Sequence, residues 1–450
     1  MRKFIHQSAI ISLAIFFFSF TAHSQENGVF SLEQCIETAW ENNLQLRQQS
    51  LSVDLARQNL LQSRASVYPN FNASASHSYS FGRSLDPLTN DFITRNVQSN
   101  NFSVGSGVNL FSGFQTQNTI RQNRLELEAG TFDLERSYND IALMVASAYL
   151  QILFNLELVE ILSGQLEVTR QQVERTGKLV DAGTLPRGSL LTIQAQLATE
   201  ELQLINAQNQ LELSLLNLSQ IMFLPDDTDL SIVVPDIEIA PNDETPYTPM
   251  QVYRVAVQQQ PEVKSADLRI QSAERGLAVA KGGHSPQLSM RGSYGTGYSE
   301  AFIDFSGNSI PFADQLRENL STTLGLTLSI PVFNNLQTRS SVSRSQINME
   351  NTRLQSQIVR EQLFQTIQQA HADASAALKR FYATEKNLAA LQEAFRYTEQ
   401  RFNVGMVNTL EYNDAKNRLA AAESELLQSK YEYVFRIKIL DFYLGEPLSF

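Results

Sequence analysis

The chain spells out one structural plan twice. Residues 31–72 match 248–289 without a gap at an offset of 217 (248 − 31), and residues 102–225 match 324–447 without a gap at 222 (324 − 102). The identities include Gln34/Gln251, Pro69/Pro286, Phe111/Phe333, Gly183/Gly405 and Pro225/Pro447. A duplicated unit of this size constrains the fold more than any single motif, because each copy must supply the same elements in the same order. Length variation is confined to the one segment per copy where the two offsets part.

Each copy opens with a capping box, Ser31-Leu-Glu-Gln34 and Thr248-Pro-Met-Gln251. In this motif the first and fourth side chains satisfy each other's free backbone N–H groups. A short helix is predicted to Asn42-Asn43 in one copy and to Gln260 in the other, where Pro261 disfavours continuation. A second helix runs on to Val67 or Gly283, before Pro69 or Pro286.

The period then changes to two. Phe71, Ala73, Ala75, His77, Tyr79 and Phe81 alternate with Asn72, Ser74, Ser76, Ser78 and Ser80. In the second copy Leu288, Met290, Tyr294 and Tyr298 oppose Ser289, Arg291, Ser293 and Gly295. Partner strands follow at Phe102–Leu110 and Leu324–Val332, after polar stretches that read as surface loops. Strands of ~10 residues cross a bilayer when tilted. Alternation alone also fits the half-buried sheet of a soluble protein. Two details favour the membrane: the polar face is built of small residues, as a lumen wall requires, and Tyr79, Phe81, Tyr294 and Tyr298 cluster near strand ends as in an interfacial girdle.

Residues 115–182 and 337–404 contain no proline and read as two helices of roughly 100 Å. One carries the stripe Leu134, Tyr138, Ile141, Val145, Ala148, Ile152, Leu156, Val159, and the other Phe381, Thr384, Leu388, Leu391, Phe395, Thr398, Phe402. Steps of three and four predict left-handed supercoiling against neighbours. Each helix ends at a glycine turn, around Gly183 or Gly405, and a return helix about half as long follows. The pieces before the strands supply the missing length, so long and composite helices are predicted to lie side by side in a tube.

Arg2 and Lys3, the apolar run Ile10–Phe20 and Ala22-His23-Ser24 form an export signal over 1–24. No later continuous apolar run has the ~18 to 20 residues of a membrane helix. Repeat 1 is placed at 25–225, with a strand hairpin at 71–110 and a coil at 115–222. An acidic, Pro-containing linker at 226–247 leads to repeat 2 at 248–450, with a hairpin at 288–332 and a coil at 337–444. Cys35 is the only cysteine, which excludes an internal disulfide and a cysteine-based metal cluster. The net charge of −12 disfavours a nucleic-acid partner.

Four membrane strands per chain cannot close a barrel, for which ~8 is the usual minimum. Unpaired edges cost several kcal/mol per group in hydrocarbon, so several chains must share one barrel. Two copies would give a side-chain-filled interior and three would leave a pore.

The chain resembles the TolC family of outer-membrane factors. The resemblance covers essentially the whole mature chain. It rests on the duplication, on Leu32-Glu-Gln-Cys-Ile-Glu-Thr-Ala39, on Tyr68-Pro69-Asn70-Phe71, on Ile330-Pro-Val-Phe333, and above all on Arg401-Phe-Asn-Val-Gly405-Met-Val-Asn-Thr-Leu-Glu411-Tyr-Asn-Asp414. It implies a mainly α fold with membrane β. Three chains would form a twelve-stranded barrel in the outer membrane, continued by a long periplasmic α-helical barrel. Its implied partners are a second and third copy, a periplasmic adaptor, an inner-membrane transporter and outer-membrane lipid. Its function would be that of an exit duct for efflux or type I secretion.

The glycine turns lie at the helix ends far from the strands. The resemblance implies that Ala182, Gly183 and Thr184, with Val404, Gly405 and Met406, receive the adaptor. Glu411 and Asp414 are three apart and so share one helix face. They match the family's acidic constriction pair, and three chains would ring the mouth with six carboxylates that attract cations. The aligned residues of the first copy are Ser189 and Thr192, so the acidic chemistry is threefold. Phe402, Val407 and Ser189 stand where well-known relatives carry polar locks, which leaves gate closure to Arg187 or to apolar packing.

Two other functions fit less well. An enzyme would need a catalytic constellation, yet two of the five histidines fall in the signal. The other three have no metal-type spacing. No cofactor is expected. A secreted coiled-coil fibre would explain the heptads but leave the four strands unexplained.

Overall fold

The computed structural model describes residues 29–448, apart from 86–89, 95, 226–229, 236–246 and 305–307. The expected export signal at 1–24 and most of the linker at 226–247 lie outside the described residues. The first copy contributes β1 (Val29–Phe30), α1 (Leu32–Asn42), α2 (Leu44–Ala65), β2 (Asn70–Ser80), β3 (Arg83–Leu85), β4 (Phe92–Thr94), β5 (Val97–Ser112), α3 (Gln115–Asp181) and α4 (Arg187–Met222). After β6 (Ser231–Ile232) come α5 (Pro249–Gln259), α6 (Pro261–Gly282), β7 (Gln287–Ser299), α7 (Phe312–Glu318), β8 (Ser321–Ser329), α8 (Gln337–Asn403) and α9 (Thr409–Leu444).

The local signals act as the sequence predicts. Ser31 and Thr248 each cap a helix through a complete capping box, and Asn43 caps α2 by accepting from the N–H groups of Gln45 and Leu46. Pro261 takes the first position of α6, where its missing N–H leaves no bond unmade. Helices α3 and α8 are 67 residues each, and α4 and α9 are 36 each. The repeat therefore holds to the residue in the helices of its long coils.

Strands β2, β5, β7 and β8 form one antiparallel sheet in the order β2-β5-β7-β8. Each row of side chains stays on one face across the sheet, so the apolar residues Phe71, Leu324, Leu326 and Leu328 stay exposed on one side. On the other side Ser74 pairs with Ser103 at 2.7 Å and Ser78 with Ser99 at 2.8 Å. β5 is longer than the sequence suggests, at 16 residues, because its polar outer part pairs with both β2 and β7. β8 begins three positions earlier than expected, at Ser321, and ends three earlier, at Ser329, before Pro331, which has no N–H to offer a ladder. The stretches expected to be plain loops hold the small β3–β4 hairpin and the short helix α7, about two turns long. Gln315 anchors α7, donating to the carbonyls of Ser299 and Ile310 and accepting from the N–H of Ser299.

The passage from strand to helix is abrupt and is made the same way twice. Gly113 and Phe114 have φ of 61° each, and Asn335 and Leu336 have φ of 52° and 62°. Two consecutive left-handed residues turn the chain, at ~1–2 kcal/mol for each residue that carries a Cβ. At Gly113 a Cβ would also lie 2.4 Å from the Gly282 carbonyl oxygen, so space as well as φ demands glycine.

Near the strands α3 packs on α2 and α6, and α6 packs in turn on α8; away from them α3 pairs with α4 and α8 with α9. The Asn43 amide donates to the carbonyl of Ile221 at 3.5 Å, joining the start of α2 to the end of α4. The main hydrophobic core lies halfway along the rods. It gathers Cys35, Ile36 and Ala39 of α1, Ile141 to Leu153 of α3, Leu218 and Met222 of α4, and Leu427, Tyr431 and Val434 of α9. A smaller one joins Val252, Ala256 and Val263 to Leu363 and Ile367. One stretch of α3 is apolar enough by composition to cross a membrane, but more than half of it is buried within the protein.

Candidate functional site

Both tips are Schellman turns, which close the last helical carbonyls through one left-handed residue. At the first tip Thr184 N–H donates to Leu179 O at 2.9 Å and Gly183 N–H to Val180 O at 2.9 Å. At the second, Met406 N–H donates to Arg401 O at 2.8 Å and Gly405 N–H to Phe402 O at 3.0 Å. Gly183 and Gly405 have φ of 74° and 79° in open space. Ala182 and Thr184 are exposed, and Val404, Met406 and Leu410 are 68%, 73% and 71% exposed. An apolar knob thus stands in solvent at the end of a charged rod.

Asn408 caps α9 by accepting from Glu411 N–H at 2.9 Å. The structure puts Glu411 and Asp414 on the exposed side of the first turns, as their spacing requires, and supplies each with a cation from its own chain. Arg401 reaches Glu411 at 3.3 Å, and Arg418 reaches Asp414 at 3.0 Å. These arginines were not singled out in the sequence, although Asp414 and Arg418 stand at the i, i+4 spacing of helical ion pairs.

The residues at the expected gate positions fall into two groups. Phe402 stacks on Tyr412 with ring centroids 4.5 Å apart, and Phe395 also packs on Tyr412, tilted, at 5.5 Å. Val407 is buried beneath the turn. Arg187 is exposed and Ser189 half-buried at the start of α4. Burial pushes the Tyr412 hydroxyl up to about 12, with Glu399 and Glu200 adding to the effect and Arg175 opposing it.

Above the tip lies a buried polar cluster that the sequence reading missed. Lys416 donates to both carboxylate oxygens of Glu200, at 3.0 and 3.2 Å, to the carbonyl of Gln165 at 3.0 Å, and to the Thr169 hydroxyl. Its side chain is 8% exposed and that of Glu200 6%. Thr169 donates to Glu200 at 2.6 Å and Gln196 at 2.9 Å, so both carboxylate oxygens are filled. The signal was in the heptads: Ile193, Glu200, Ala207 and Ser214 are all buried, seven residues apart, and Glu200 stands at an inward position.

This cluster is the centre of a seam. The α3/α4 coil touches the α8/α9 coil chiefly through α9. Towards the tip the links are polar: Arg175 to Asn403 at 2.8 Å, Gln196 to Asn417 at 2.7 Å and Gln165 to Glu423 at 3.1 Å. Only from Leu427 upward does the seam become part of the hydrophobic core.

A sequence model of the outer membrane efflux protein family matches residues 35–222 and 252–446. The chain is 20% identical over 407 residues to the outer membrane efflux protein BepC of Brucella suis, covering 90% of this chain and 83% of that one. It is 21% identical over 410 residues to the outer membrane protein TolC of Escherichia coli, covering 90% and 80%. Its fold superposes on the Campylobacter jejuni CmeC outer membrane channel with a TM-score of 0.78 at 17% identity, over 92% of this chain and 85% of the other.

Proposed function

The chain belongs to the outer membrane efflux protein family, and from that premise we propose that three copies close one barrel and one helical tube, with the Glu411–Asp414 end as the inner mouth. The protein is an exit channel of the outer membrane, serving efflux or secretion. The observation that carries the trimer is the sheet itself: β2 and β8 are its outer strands and each has one neighbour in the chain. Their free edges border an exposed apolar face suited to hydrocarbon, where unpaired backbone groups are not tolerated. Three copies supply twelve strands and a pore.

In this reading substrate arrives from an inner-membrane transporter through a periplasmic adaptor and leaves without further chemistry. The adaptor seats on Ala182, Gly183 and Thr184 and on Val404, Gly405 and Met406, whose exposed apolar side chains offer it a surface to bury. Phe402, Val407, Ser189 and Arg187 surround the mouth, and Glu411 and Asp414 set its charge. The test is the mass of the detergent-extracted protein from outer membranes, measured with and without crosslinking. Three copies, with an adaptor crosslinked through a cysteine placed at Met406, is the expected result. A monomer, or extraction without detergent, refutes the reading.

A further inference from the structure

Among the 49 residues of β2, β5, β7 and β8 there is one Asp, Glu, Lys or Arg, and it is Arg291. It stands in the polar row of β7, between Ser289 and Ser293. Its lateral partners are Gly107 on β5 and Gly325 on β8. The stem of Arg291 lies across Gly107, 3.7 Å from where a Cβ would stand there. Around it the wall forms an open groove of about 440 Å³, lined by Asn70, Asn72, Thr323 and Thr327 among others.

Arg291 makes no ion pair to any described residue and its side chain is exposed. The side-chain oxygen of Asn70, which lines the same groove, already accepts from Gly107 N–H at 2.8 Å. A guanidinium offers five donors in a rigid fork matched to carboxylates and phosphates. Here the fork is set among glycines and small polar groups that leave it room and supply no counter-charge. The contrast with the mouth is direct: Glu411 and Asp414 each have an arginine beside them, whereas the barrel's one charge stands bare.

We propose that Arg291, repeated by threefold symmetry, forms an anion-binding girdle inside the barrel that takes carboxylate or phosphate groups of material entering or leaving the lumen. This rests on the channel reading above. The path then changes sign along its length, with acidic groups at the mouth and a ring of unpaired guanidinium groups in the membrane. An anionic group repelled by neither serine nor threonine pauses there, and screening limits the effect to within about 8 Å of the wall at physiological salt.

The test uses the full-length protein in planar bilayers, with inositol hexakisphosphate added from the extracellular side. Wild-type current is expected to be blocked, with the half-blocking concentration rising at least tenfold in Arg291→Ser and much less in Arg291→Lys. Serine already occupies the adjacent lumen positions, so the variant suits the wall. Equal block of wild type and Arg291→Ser overturns the girdle while leaving the channel reading intact. A wild-type protein that never conducts overturns both.

Discussion

Lys416→Met should loosen the mouth half of the protein by a large and calculable amount. The lysine loses four donor contacts, to Gln165 O, Thr169 and both oxygens of Glu200. Glu200 keeps Thr169 and Gln196 as donors but loses the one cation bonded to it among the described residues, at a position 4% exposed. Stranding one charge of a buried pair costs ~3–5 kcal/mol, whereas replacing both by apolar residues is often neutral. The single variant should therefore lose ~3 kcal/mol or more of local stability, and Lys416→Met with Glu200→Leu should recover most of it. The assay is backbone hydrogen exchange in detergent across residues 409–423, with 141–153 of the central core as the internal reference. At ~1.4 kcal/mol per tenfold, the single variant should speed exchange in the mouth segment by more than a hundredfold and leave the core segment slow. Exchange that changes less than fivefold in the single variant, or that is additive in the double, would refute the assignment of this pair as the clasp of the seam.

Glu411→Ala with Asp414→Ala should lower cation preference, read as a shift of reversal potential in a salt gradient, because Arg401 and Arg418 are then left unpaired; Arg401→Ala alone, which frees Glu411, should shift it the opposite way. An unchanged reversal potential refutes their place at the constriction. Gly405→Ala meets no neighbour, so only its φ of 79° is penalised, and the tip should lose ~1–2 kcal/mol; Gly405→Asn, which tolerates this conformation, should lose less, by thermal melting of the tip. Cys35 is fully buried and its thiol is raised to about 12 from 9.0, chiefly by burial and then by Glu33. A thiol raised on folding contributes stability that is complete below about pH 9 and is lost as pH climbs towards 12. Iodoacetamide should accordingly leave folded protein unlabelled at pH 8 and label it on unfolding; rapid labelling of the folded protein refutes the burial.

What could be read from the residues was what local rules decide. Capping boxes, proline at Pro261, the period-two rows and the uninterrupted stretches of α3 and α8 each carry their cause within a few positions of the chain. The outer part of β5 could not be read so, because Gln98 to Asn101 have no apolar alternation and become strand only through pairing with β2 and β7. Helix α7 is too short for a period to show, and it exists because Gln315 ties it to β7. The buried lysine failed for a different reason. A charge in a helix is ordinarily a solvated one, and Lys416 is sheltered only because Glu200 arrives from a helix 216 positions away in the chain. The pairing of Glu411 with Arg401 likewise spans the Gly405 turn and depends on that turn bringing the two helix ends together.

The two left-handed joints at Gly113-Phe114 and Asn335-Leu336 have a mechanical consequence. A helix of roughly 100 Å anchored at such a joint is a lever, and each degree of error in its aim displaces the far end by roughly 1.7 Å. In the proposed trimer, three such rods could not meet at a narrow mouth with that tolerance. The core around Tyr149 and Leu153 acts as a fulcrum, leaving a free arm of only about 40 Å from Leu153 to Asp181. Below that fulcrum the same degree moves the tip by about 0.7 Å, a misalignment that side chains can absorb. The apolar packing halfway down the rods therefore divides the labour: the joints direct the rods, and the waist fixes how accurately their ends arrive.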